Sequence, residues 1–133
     1  MIVTMLGSLY VYKATLLEVH DGDTVKLRLD RGYGDFKEGP YRLAGCNANE
    51  LKDPGGIEAK ANLMYELTRF AWFYVGSRKP DRPPDPYKYG AVWMAKIVLL
   101  DGTDLTEKLI EQQWAARWDG KGTPPKPPWP RTV

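Results

Sequence analysis

The sequence predicts a mainly β, α+β domain: a five-stranded barrel with one helix after the third strand and a second helix near the C-terminus. Val25, Leu27 and Leu29 alternate with Lys26, Arg28 and Asp30, the period of a half-buried strand. Gly, Pro and Asp clusters separate short segments rich in β-branched and aromatic residues. Ile57, Ala61, Met64, Leu67 and Ala71 recur at helical spacing. The 133 residues suit a single domain, and 43% hydrophobic with 27% charged residues is a globular composition.

Residues 10–20 are predicted as the first strand, with the apolar stretch 1–12 read as its lead-in. Gly7 and Ser8 interrupt that stretch and no basic residue precedes it, which makes it a poor signal peptide. Asp21-Gly22-Asp23 is a turn signal, and residues 24–30 return as the second strand of a hairpin. Gly32, Gly34, Gly39 and Pro40 frame a second turn, before a third strand over 41–46. Asp53-Pro54-Gly55-Gly56 breaks the chain ahead of a helix over 57–70, whose apolar stripe is expected to face the core. Residues 72–75 are β-prone. Residues 76–90 carry Pro80, Pro83, Pro84 and Pro86 and are predicted as a loop. A strand is expected over 91–100, then a turn at Asp101-Gly102-Thr103. Asp104 and Glu107 make a capping-box-like start for a helix over 105–114. The domain is placed at 1–118, and 119–133, with five prolines, as an extended tail. Five short strands with a helix inserted after the third suit an OB-fold.

Composition narrows the function. One cysteine, Cys46, excludes an intrachain disulfide and suits a reducing, cytoplasmic setting. No apolar run approaches the ~20 residues of a membrane helix, so no membrane partner is expected. Nineteen basic against 17 acidic residues exclude a polycation that holds DNA by bulk charge, but not a small site that grips one phosphate.

Two segments carry candidate chemistry: 20–24, His-Asp-Gly-Asp-Thr, and 42–50, Arg-Leu-Ala-Gly-Cys-Asn-Ala-Asn-Glu. Read alone, the first is hairpin-turn chemistry and the second a solvated strand end with an ion pair. His20 is expected on the barrel flank, Cys46 as a small buried residue, and Trp93, Trp114 and Trp118 as packing residues. Trp129 in the tail is hard to bury and is a candidate partner contact.

Taken together, Asp21-Gly22-Asp23-Thr24-Val25, Arg42, Glu50 eight residues later, the following helix, Lys88-Tyr89-Gly90 and the final Asp-Gly-Thr turn and helix resemble the thermonuclease (staphylococcal-nuclease-like) family over about residues 12–114. The resemblance implies a calcium-dependent phosphodiesterase acting on DNA or RNA, with Ca2+ on the barrel surface. It implies Asp23, Asn47 and the Ala48 carbonyl as metal ligands, Glu50 as general base, and Arg42 on the phosphate. Lys88 and Tyr89 match positions that contact the nucleotide.

Two positions depart from that pattern. Asn47 stands where the family carries a second aspartate, which removes a charge and weakens calcium binding. Ala91 stands where an arginine follows Lys-Tyr-Gly, and losing such a donor commonly costs ~10²–10³ in rate. Arg82 or Arg78 could supply a guanidinium from the loop, or be solvated charges paired with Asp81 and Asp85. The alternative is therefore a pseudo-nuclease that binds a nucleotide, nucleic acid or partner without cleavage. A further alternative is an adaptor acting through the Pro-rich tail as a polyproline ligand for a protein partner.

Overall fold

The alternating segment 24–30 forms a strand whose Val25, Leu27 and Leu29 are buried while Lys26 and Arg28 face solvent. In the computed structural model, which describes residues 11–78 and 92–132, it is β2 (Thr24–Asp30), hairpin partner of β1 (Val11–Asp21). There follow β3 (Phe36–Leu43), β4 (Cys46–Ala48), α1 (Gly56–Thr68), β5 (Phe73–Arg78), β6 (Trp93–Val98), α2 (Leu105–Glu111) and β7 (Ala115–Arg117). The lead-in 1–10 and the loop positions Lys79, Arg82, Lys88, Tyr89 and Ala91 lie outside the described residues.

Strands β1-β2-β3-β6-β5 close into an OB-fold-like barrel, and β4 with β7 makes a separate two-stranded sheet. All barrel pairings are antiparallel except β3 with β6. A parallel pair needs a long crossover, which α1 and β5 supply. Register shifts in β1 between Leu16 and Glu18 and between Val19 and Asp21 bend that strand around the barrel. The core is Leu27, Leu43, Val75, Ala95 and Ile97, all fully buried, with Tyr41 and Phe73 beside them. Leu63 and Leu67 of α1 and Leu105 and Leu109 of α2 extend it. Each such side chain contributes about 1.5–3 kcal/mol on burial. Among the described residues no helix is long and apolar enough to cross a membrane.

Several boundaries differ from the sequence-based expectation. The third strand begins at Phe36, so Gly39 and Pro40 lie inside it. Pro40 pairs with Lys26 of β2, but β6 reaches only Tyr41–Leu43, so one flank there is open and a residue lacking an N–H is tolerated. A turn at Ala44 and Gly45 splits off Cys46 into β4. The fourth barrel strand runs to Arg78 rather than stopping before the loop.

The apolar stripe expected to bury α1 mostly faces water. Ile57 is 67% exposed and Met64 44%, while Ala59, Leu63, Glu66 and Leu67 pack inward. Only Leu67 belongs to both sets. Glu66 can sit on the buried face because its Oε2 accepts from Lys108 Nζ at 3.0 Å and Arg69 Nη2 at 3.2 Å. Helix α2 starts as expected: the Asp104 side chain accepts from the Glu107 N–H. The return half of that box is unused, because Glu107 grips Arg117 through both carboxylate oxygens.

Candidate functional site

The site begins at the β1–β2 turn. A Cβ on Gly22 would stand 2.7 Å from Ala48 Cβ and 2.9 Å from Ala59 Cβ, so only glycine lets this turn lie against β4 and α1. Asp23, next in the chain, donates its N–H to Asp21 Oδ1 at 3.1 Å and turns its carboxylate inward, where 4% of the side chain stays exposed. Asp23 Oδ2 accepts from the Ala48 N–H at 2.8 Å. Its Oδ1 accepts from Thr24 Oγ1 at 3.0 Å and from Arg42 Nη1 at 3.3 Å. The β2–β3 register pairs Thr24 with Arg42, which is why the arginine emerges beside Asp23. Burial raises the Asp23 carboxyl to about 6 against the opposing pull of Arg42, and Asp21 adds to the rise.

Arg42 is held from both sides. Its Nη1 bonds Asp23 and its Nη2 donates to Asn47 Oδ1 at 2.9 Å, while the Trp118 ring lies 5.4 Å from its Cζ. The Asn47 amide can be oriented only one way. Its oxygen faces the Arg42 donor, and its Nδ2 donates to the Pro125 carbonyl at 2.8 Å. An aspartate here could accept from Arg42 but could not donate to Pro125.

That second contact brings the tail into the site. β7 pairs with β4, setting Asn47 opposite Ala116, so the tail leaves the barrel beside the site and folds back over it. Asn49 Nδ2 reaches the Pro127 carbonyl and the Pro54 carbonyl, each at 3.3 Å. Lys126 Nζ pairs with Asp53 Oδ2 at 3.0 Å. The Trp129 ring lies against Gly55, where a Cβ would stand 2.7 Å from it, and its centroid is 6.1 Å from that of Trp114. Arg131 covers the other ring partner, with Cζ 3.7 Å from the Trp114 centroid and Nη1 donating to the Gln112 carbonyl. Trp129, expected as an outward contact for a partner, thus packs on its own domain, although 40% exposed.

Of the expected site residues, Asp23, Arg42 and Asn47 meet in one hydrogen-bonded cluster, which Ala48 joins through its N–H and not through the carbonyl that the resemblance assigns as a ligand. Glu50 does not join it among the described residues; its side chain is 63% exposed and pairs with Lys52 at 3.4 Å. The expected Arg42–Glu50 strand-end ion pair is replaced by Arg42–Asp23 and Lys52–Glu50. Lys88, Tyr89 and Arg82 lie outside the described residues. His20 is exposed. Cys46 is buried and its thiol is pushed up to about 12, chiefly by that burial, so it is no nucleophile. Sequence reasoning missed Trp118, Asn49 and the two proline carbonyls. A signal existed: Asn47 and Asn49, and Pro125 and Pro127, are each two residues apart, the repeat of two extended segments lying side by side.

Calcium takes roughly six to eight oxygen ligands. Of the side-chain ligands the resemblance assigns, the Asp23 carboxylate and the Asn47 amide oxygen both face Arg42, whose guanidinium already bridges them. Among the described residues no three Asp, Glu, His or Cys side chains come together as a metal-binding group. In this arrangement the donors do not fit a calcium ion, because an internal cation stands between the two side chains that would hold it. No protein-family model matches the chain, and no curated protein sequence matches it.

Proposed function

We propose that the chain binds a phosphodiester-bearing ligand, a nucleotide or a nucleic-acid strand, at Arg42 and does not cleave it. The observation that carries this reading is the clamped, partly exposed guanidinium. Arg42 keeps 28% of its side chain exposed and spends one donor of Nη1 on Asp23 and one of Nη2 on Asn47. A guanidinium has five donors in a planar fork, so three remain for phosphate oxygens. The ordered resemblance to the thermonuclease pattern supports a phosphodiester as the ligand. Asn47 and Ala91, standing where that pattern has a carboxylate and an arginine, support binding over turnover.

A second reading, calcium-dependent hydrolysis with Glu50 as base, is favoured by the retained spacing from Arg42 to Glu50 and by the exposure of the Glu50 carboxylate. It requires Arg42 to leave Asp23 and Asn47. One experiment separates the two. A fluorescein-labelled ten-nucleotide single strand, DNA and RNA, is titrated with protein in chelator and in calcium, and the products are run on a gel. The expected result is binding in chelator, no cutting in either buffer, and at least tenfold weaker binding by Arg42→Ala, since a charged hydrogen bond is worth about 1.5–3 kcal/mol. Unchanged affinity of Arg42→Ala places the site elsewhere. Calcium-dependent cutting that Glu50→Gln abolishes establishes the hydrolase instead.

A further inference from the structure

We infer that residues 119–132 form an autoinhibitory strap that holds the Arg42 site closed and competes with its ligand. This rests on the reading of Arg42 as a phosphodiester site. Short proline-rich ends commonly fray, and the placement of this one runs against that. Four kinds of contact hold it: amide-to-carbonyl bonds from Asn47 to Pro125 and Asn49 to Pro127, the Lys126–Asp53 ion pair, Trp129 against Gly55 and Trp114, and Arg131 over Trp114.

The strap reads the site through one residue. Pro125 accepts from Asn47, Asn47 accepts from Arg42, and Arg42 donates to Asp23. A phosphate on the free donors of Arg42 weakens the donor that Nη2 still gives Asn47, and loosening Asn47 loosens Pro125. The reverse also holds, since linkage is reciprocal. Prolines suit this role: they have no N–H of their own to satisfy, so their carbonyls are free to accept and the segment is pre-extended. Its anchors Lys126, Trp129 and Arg131 hold to Asp53, Gly55, Trp114 and Gln112, none of them a residue assigned to phosphate binding.

The Lys126→Ala, Trp129→Ala double variant of the full chain tests this against the same labelled ten-nucleotide strand in chelator. A strap closed in nine molecules of ten lowers the apparent affinity about tenfold. The variant is therefore expected to bind up to about tenfold tighter than the parent, despite losing a positive charge. Adding the strand to the parent protein should also speed amide hydrogen exchange in 119–132. Should the double variant fail to fold, Lys126→Ala alone, at a lysine 63% exposed, is expected to bind tighter in the same direction. Equal affinity of parent and folded variant, with binding still dependent on Arg42, overturns the strap and leaves the binding site standing. No binding by parent or variant overturns both.

Discussion

Asp23 is the residue on which the site's electrostatics turn. The residue is buried and its carboxyl sits at about 6, above the ordinary value of 3.8, because desolvation outweighs the attraction of Arg42. Between those values the folded protein holds a proton that the unfolded chain has released. The corresponding stability is fully present below about pH 4 and is lost as pH rises through about 6. The rise amounts to about 3 kcal/mol. The expected outcome is that the melting-temperature difference between the parent and Asp23→Asn shifts against the parent as pH goes from 4 to 7. A difference that is flat with pH, measured by thermal unfolding at matched ionic strength, would show that Arg42 compensates the burial of this carboxylate in full.

At the scale of elements, the informative case is α1. The Ile57–Met64–Leu67 stripe was legible as helical, and the helix is there, but the stripe is not its core face. A hydrophobic pattern assigns faces by counting apolar residues, and the true inner face contains Glu66, a charge. Only the tertiary partners Lys108 and Arg69 explain that carboxylate, and Lys108 comes from another helix. Truncating Glu66 leaves both cations without their shared acceptor, so Glu66→Ala is expected to cost about 1–3 kcal/mol in chemical denaturation. Ile57→Ala, on the exposed side, is expected to stay within about 0.5 kcal/mol. The reverse order of costs would restore the face that periodicity proposed. Strand faces are plainer in the sequence, because alternation in 24–30 reports one face directly. β4 and β7, each three residues long, are too short for any period to show. What places them is the site they frame.

For the whole molecule, the legible part was the barrel and the Asp23–Arg42–Asn47–Ala48 cluster. The fold-back of the tail was not, because composition marks 119–132 as extended without saying what an extended segment lies against. The same contrast bears on how nucleic acid would be held. Nineteen basic against 17 acidic residues are a poor basis for bulk attraction; the net charge of +2 is what a strand meets at a distance. Binding that depends on one clamped arginine should engage one or two phosphates. For single strands the logarithm of affinity falls with the logarithm of salt by about 0.7 per phosphate. Between 50 and 200 mM salt the affinity is therefore expected to drop only about three- to sevenfold. A drop of a hundredfold or more, read from anisotropy titrations across that range, would mean a broad basic track rather than a pocket at Arg42. It would move the interface to the outer strand face, where Lys13 lies 4.5 Å from the Trp72 ring centroid and Arg28 4.1 Å from that of Phe36. A shallow slope that steepens when Lys126 and Trp129 are replaced would fit neither picture alone: it would mean that the released segment had been shielding further cations, and that the +2 of the chain understates what the open form presents.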